Sequence, residues 1–150
     1  MLKIGTSAPE FHAADDAGGS VNLASLLANG PFVLFFYPKD FTPICTKEVC
    51  MFRDASVDLK AAGVQIFGVS RQDAASHGRF KAEHKLSYPL LVDADGSMQK
   101  AWGAQGPFGI TRRVSYYVDR AGVITDAELA DLRLGPHEDF VGRVLKKASA

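Results

Sequence analysis

The sequence predicts an α/β fold, with a mixed central β-sheet flanked by helices on both faces. Three observations carry this expectation. Phe32-Val33-Leu34-Phe35-Phe36-Tyr37 and Val64-Gln65-Ile66-Phe67-Gly68-Val69-Ser70 are mostly apolar runs of strand length. Such runs suit strands buried on both faces. Between them Val49, Phe52, Ser56 and Leu59 recur at spacings of three and four, the pattern of an amphipathic helix. A later pair of apolar segments flanks Asp119-Arg120-Ala121-Gly122, a hairpin signature. A helical crossover makes neighbouring strands parallel, and a hairpin makes them antiparallel, so the sheet is mixed.

In chain order, Ala17-Gly18-Gly19-Ser20 marks a turn from which the segment around Val21 pairs back as a hairpin. A short helical turn follows and ends near Asn29-Gly30. The aromatic-rich strand from Phe32 leads into a loop from Pro38 to Pro43, then the amphipathic helix of about four turns. Gly63 suits the end of that helix. After the Val64 strand, Ser70 and Asp73 have capping-box spacing, which predicts a helix reaching about Lys85. Pro89-Leu90-Leu91-Val92 reads as a short strand closed by an Asp93–Gly96 turn. The hairpin strands are Arg113–Val118 and Val123–Thr125. Pro136 starts a last helix with Phe140, Val141, Val144 and Leu145 on one face. A thioredoxin-like fold satisfies this order, as do other mixed α/β folds. No repeat or linker divides the chain, so residues 1–150 read as a single domain.

The chain is 47% hydrophobic with a formal net charge of zero, an ordinary globular balance. It lacks the basic excess expected of a nucleic-acid or anionic-membrane binder. The first residues show neither an apolar span nor an export signal, which predicts no membrane insertion and a cytoplasmic location. There thiols are kept reduced, which argues against a static disulfide.

The two cysteines, Cys45 and Cys50, lie five residues apart at the start of the long helix. The first helical N–H groups have no internal partner, and the helix dipole favours an anion beside them. A thiolate at Cys45 is such an anion and is the reactive form of cysteine. Cys50 lies deeper in the helix and gains no such benefit. On an ideal helix a five-residue step separates Cα atoms by roughly 8–9 Å. A disulfide needs less than about 7 Å, so joining the pair requires the helix start to unwind. A permanent staple is a poor reading. A transient bond is a better one. A zinc site is also a poor reading, because His12, His77, His84 and His137 show no paired spacing. His77 and His84, seven apart, read as an exposed or half-buried helix side.

Pro38-x-x-x-Thr42-x-x-Cys45 resembles the active-site motif of the peroxiredoxins. Cys45 followed by Cys50 in TPICTKEVCMFRD is similar to the bacterioferritin-comigratory-protein (Q-type) subfamily. The likeness extends from Gly5-x-x-Ala8-Pro9-x-Phe11 to Arg113-Val114-Ser115-Tyr116-Tyr117-Val118-Asp119. Ile44 departs from the small residue often found there. The resemblance implies a thioredoxin-like fold and a thiol peroxidase acting on hydrogen peroxide and organic hydroperoxides. Cys45 would be the peroxidatic and Cys50 the resolving cysteine. Pro38, Thr42 and Arg113 would match the other motif positions, although Arg112 stands beside Arg113. Strand alternation sends these two arginines to opposite faces.

In that chemistry Arg113 stabilises charge on the stretched S···O···O anion, and Thr42 donates to sulfur or peroxide. Glu48 orients an arginine, with Arg53 as a possible sharer, and Pro38 shapes the loop and excludes water. A thioredoxin or similar dithiol would reduce the Cys45–Cys50 disulfide. No haem, flavin or metal is needed, and resolution within one chain implies a monomer. Each residue also has a plainer reading: Thr42 as a helix cap, Glu48 as a first-turn acid, Arg113 as a surface charge. A thiol–disulfide oxidoreductase, or a redox-sensing binding protein, is the alternative, disfavoured by C-x4-C rather than C-x2-C spacing.

Overall fold

A computed structural model describes residues 1–149. Strands β1 (His12–Asp15), β2 (Ser20–Asn22), β3 (Phe32–Phe36), β4 (Gln65–Ser70), β5 (Leu90–Val92), β6 (Val114–Val118) and β7 (Ile124–Leu129) form one sheet. Their order is β2-β1-β5-β4-β3-β6-β7. The three central strands, β5, β4 and β3, run parallel, and each flank is closed by antiparallel pairing. The helices are α1 (Leu23–Asn29), α2 (Pro43–Ala61), α3 (Ala74–His84), α4 (Ser97–Ala101) and α5 (Gly135–Ser149). The mixed sheet flanked by helices is the arrangement predicted from sequence.

Strand alternation divides the core in two. Phe32, Leu34 and Phe36 point to one face and pack with Leu23, Leu26, Met98 and Trp102 from α1 and the α4 region. Val33, Phe35 and Tyr37 point to the other and pack with Cys45, Phe52, Phe80 and Phe140 from α2, α3 and α5. Phe35 stacks on Phe52 at 4.1 Å between ring centroids. Gly68 has no side chain because none fits: an added Cβ would sit 2.8 Å from both Leu90 Cδ2 and Phe35 Cζ.

Helix α2 begins with Pro43 in its first turn, where a missing N–H costs nothing. It closes at Ala62, and Gly63 follows in the left-handed region with φ +78°.

Several expectations need correction. Ser70 is the last residue of β4 and does not cap α3; Asp73 does, accepting from the Ser76 N–H at 2.8 Å. His77 is fully buried, not an exposed or half-buried flank. β7 runs on to Leu129 because its inward position is held by Asp126, whose charge is answered by Arg143 and Lys147 at 3.0 Å each. A carboxylate on the core side hides the strand from an apolar pattern. Helix α4 is only five residues long, too short to show a period. It is held by Asp93, whose carboxylate accepts from the Met98 and Gln99 N–H groups at 2.9 and 2.8 Å. A 3₁₀ turn at Pro107–Gly109 also escaped the pattern.

Among the described residues, no helix is long and apolar enough to cross a membrane.

Candidate active site

The site forms at the C-terminal end of β3, where a parallel sheet ordinarily opens toward ligands. Tyr37 continues the strand and its N–H donates to the Val69 carbonyl at 3.1 Å. The chain then turns through Pro38–Thr42 into α2. Strand β6 runs antiparallel to β3, with Val114 opposite Phe36. This register brings Arg113, just before β6, back to the end of β3 and the start of α2.

Cys45 is the third residue of α2 and has no exposed surface. Arg113 Nη1 donates to Cys45 Sγ and to Glu48 Oε1, both at 2.9 Å. One guanidinium nitrogen, with two hydrogens, thus serves a thiol and a carboxylate spaced three apart on one helix face. The rest of Arg113 is also held. Its Nε donates to the Asp131 carbonyl at 2.9 Å and its backbone N–H to Asp131 Oδ1 at 3.1 Å. Arg112 points elsewhere and pairs with Asp131 Oδ2 at 2.6 Å. Arg113 therefore faces the thiol and Arg112 does not, although both precede β6, which begins at Val114 and not at Arg113 as expected. Arg53 does not share the Glu48 network: it pairs with Asp54 at 3.0 Å and donates to the His84 carbonyl at 2.9 Å.

Glu48 is fully buried, and its Oε2 has no hydrogen-bond partner among the described residues. Burial pushes its carboxyl up to about 7 against the opposing pull of Arg113. Asp131 behaves oppositely. Burial works against its charge, but the Arg112 hydrogen bond and the Arg113 backbone N–H outweigh it and hold the carboxyl below its usual range.

Thr42 occupies the N-cap position of α2 but makes no side-chain cap bond. Its hydroxyl donates to the Lys39 carbonyl at 2.9 Å, so it closes the loop and does not reach sulfur in this structure. Pro38 lies half-buried at the loop start. Phe41, before Thr42, adopts φ +65°, an unusual conformation for a bulky residue. Ile44 is half-buried beside Cys45.

Cys50 is partly buried, inside the same helix, and both thiols are free. Helical backbone between them holds the sulfurs in the separated arrangement. Tyr88 adds a clamp, donating its hydroxyl to the Val49 carbonyl at 2.6 Å. No group of three or more His, Cys, Asp or Glu among the described residues has metal-site geometry.

Three groups around the site were missed from sequence: Asp131, Tyr88 and the buried Asp40. None has a recognisable spacing. Each acts on a residue made near only by the fold, 18 positions away for Asp131 with Arg113 and 39 for Tyr88 with Val49.

Comparison with known proteins agrees with this geometry. The AhpC/TSA family profile matches residues 4–127. The chain is 42% identical over 122 residues to chloroplastic peroxiredoxin Q of Arabidopsis thaliana, and 41% to that of Oryza sativa subsp. japonica. Each alignment covers 80% of this chain and 56% of the relative, so the chain spans little more than half the length of these plant proteins. Among solved structures it resembles peroxidoxin BcpB of Mycobacterium tuberculosis, with TM-score 0.90, 30% identity and 98% of both chains covered. It also resembles the bacterioferritin comigratory protein of Xanthomonas campestris, with TM-score 0.84, 26% identity, and 93% and 92% covered. The sheet, the thiol at a helix start and the facing arginine thus sit in a chain that belongs to the AhpC/TSA family, among its peroxiredoxins of the bacterioferritin-comigratory-protein and Q type.

Proposed function

We propose that the protein is a thiol peroxidase that reduces hydrogen peroxide and organic hydroperoxides. The observation that carries this reading is the Arg113 guanidinium nitrogen shared between Cys45 Sγ and Glu48 Oε1 at 2.9 Å each. A permanent cation held against the sulfur at a helix start stabilises negative charge that moves off sulfur as the O–O bond breaks.

The Cys45 thiolate attacks the terminal oxygen of RO–OH. An S–O bond forms as the O–O bond breaks, and the electron pair leaves on the alkoxide, which takes a proton. Cys45 becomes a sulfenic acid. Arg113 spreads the charge along this path, and backbone N–H groups at the start of α2 assist. Glu48 fixes the guanidinium, and Pro38 and Thr42 shape the loop that holds the reacting sulfur. The start of α2 then unwinds, and the Cys50 thiol condenses with the sulfenic acid, releasing water. A thioredoxin-like dithiol restores both thiols by exchange. All of this takes place within one chain, which supports a monomer, in a reducing compartment such as the cytoplasm. Two thiols inside one helix, rather than a C-x2-C pair, support this reading over direct protein disulfide exchange.

The test follows peroxide loss with thioredoxin and its reductase as electron source, and thiol state by alkylation and mass spectrometry. Cys45→Ser should abolish turnover. Cys50→Ser should keep one rapid oxidation and lose recycling through the disulfide. Turnover retained by Cys45→Ser would overturn the reading.

A further inference from the structure

The loop that presents Cys45 carries a buried acid that none of the steps above uses. Asp40 lies between Pro38 and Thr42, yet is only 3% exposed. Its carboxyl group accepts from Tyr37 Oη at 2.6 Å and from Ser76 Oγ at 2.7 Å, and its Oδ2 lies 2.7 Å from His77 Nδ1. His77 is itself fully buried, and its Nε2 donates to the Leu91 carbonyl at 2.9 Å. The Asp40 backbone N–H donates to Gln72 Oε1 at 2.9 Å. One side chain thus ties the loop to the end of β3, to α3, and through His77 to β5.

Burying a carboxylate is costly unless it is fully hydrogen-bonded, and a surface loop does not ordinarily need one. The cost is met here by a network that places one backbone position against three elements. From Asp40 onward the contacts thin. The Thr42 hydroxyl bonds back to Lys39, its carbonyl accepts from the Thr46 N–H at 2.8 Å, and Phe41 leans edge-on against Phe80 at 5.0 Å between ring centroids. The next buried tether on α2 beyond the Arg113 contacts is the Tyr88–Val49 bond. The stretch between Asp40 and Val49 contains Cys45 and is the part that must unwind for Cys50 to reach it.

We infer that the Asp40–His77 pair is the positioning anchor of the peroxidatic loop: it sets where α2 begins relative to Arg113, and serves as the fixed pivot about which residues 41–48 unwind. This rests on the peroxidase reading. Asp40 touches no reacting atom, so its effect passes through the placement of Cys45. Loosening the anchor lets the thiolate wander from the guanidinium. The first step, oxidation by peroxide, then slows. The second step, disulfide formation, already requires the loop to leave its place and is not slowed.

The experiment measures the two steps separately in the intact protein. Reduced enzyme is mixed with hydrogen peroxide, quenched at intervals, and Cys45 sulfenate and Cys45–Cys50 disulfide are quantified by mass spectrometry. Asp40→Ala should slow oxidation at least 10-fold and leave the rate of disulfide formation unchanged or raised. Asp40→Asn keeps the shape and most hydrogen bonds, and should recover most of the oxidation rate. Should Asp40→Ala fail to fold, the double variant Gln72→Ala/Ser76→Ala removes two of the loop's tethers at partly exposed positions, and should slow oxidation several-fold with the same split. Equal slowing of both steps, or an unchanged oxidation rate in these variants, overturns the inference. Absence of oxidation in the wild-type protein would instead sink the peroxidase reading itself.

Discussion

The Tyr88 hydroxyl donates to the Val49 carbonyl at 2.6 Å, one residue before Cys50. This side-chain bond closes on a helix backbone at the far limit of the segment that must open. Removing it should ease unwinding. Tyr88→Phe keeps the ring, which packs edge-on to Phe35, and deletes only the bond, a change of about 1 kcal/mol. The expected outcome is disulfide formation faster by roughly fivefold, with Cys45 oxidation unaffected. Time-resolved quenching and mass spectrometry of the two steps check this.

Arg113 should be irreplaceable by lysine. One lysine ammonium cannot hold Cys45, Glu48 and the Asp131 carbonyl in the fixed geometry of a guanidinium. Both Arg113→Lys and Arg113→Met should lose about 10²-fold or more in the second-order rate of Cys45 oxidation, by analogy with removal of a transition-state donor. Arg112→Met should lose far less, because the Arg112 guanidinium pairs with Asp131 and not with Cys45 or Glu48. Stopped-flow rates against peroxide concentration distinguish the three variants.

Glu48 links stability to pH. Its carboxyl is raised by burial from 4.5 to about 7, so the folded state binds this proton more tightly than the unfolded chain. Its contribution is present in full below 4.5 and is lost as pH rises to about 7. The most this can amount to is about 3 kcal/mol. Glu48→Gln, which cannot ionise, should lack this loss, so its stability relative to wild type should improve between pH 5 and pH 8 (urea titration at each pH). The same variant should slow Cys45 oxidation, because its neutral amide holds Arg113 less firmly.

His137 acts in the opposite sense. Burial depresses its pKa below 6.5, opposed by its bond to the Ala130 carbonyl, and Ser115 Oγ sits 2.9 Å from its Nδ1. The folded state resists protonation that the unfolded chain accepts, so stability falls as pH drops below 6.5. Over the overlapping range the Glu48 and His137 slopes cancel in part. His137→Gln should remove the acid-side loss and leave the Glu48 slope visible alone in the same urea titrations.

Gly68→Ala should destabilise the protein by about 1–3 kcal/mol, the usual cost of overpacking. The added methyl has no room between Phe35 and Leu90. A midpoint in urea unchanged from wild type would contradict this.

What could be read from sequence was local. The strand Phe32–Phe36 and helix α2 declare themselves in consecutive residues. The thiol pair declares itself by spacing, whereas the choice between Arg112 and Arg113 needed the structure, because both precede the first residue of β6. What stayed hidden depends on long-range closure. His77 carries no sign of burial until Asp40, 37 positions earlier, is brought to its ring. Asp126 interrupts an apolar pattern because its partners lie on α5. Trp102, one obvious spectroscopic reporter, packs in the core on the opposite face of the sheet from Cys45. Its fluorescence is therefore a poor witness to events at that thiol.

Pro43, in the first turn of α2, bears on the return half of the proposed cycle. After a reductant frees the two sulfurs, the opened coil must wind again, and nucleation is the slow part of helix growth. A proline ring holds its φ angle near the helical value even while the segment is open. Each reset in that cycle would therefore begin from the same preset residue, two positions before the sulfur that must regain its partner.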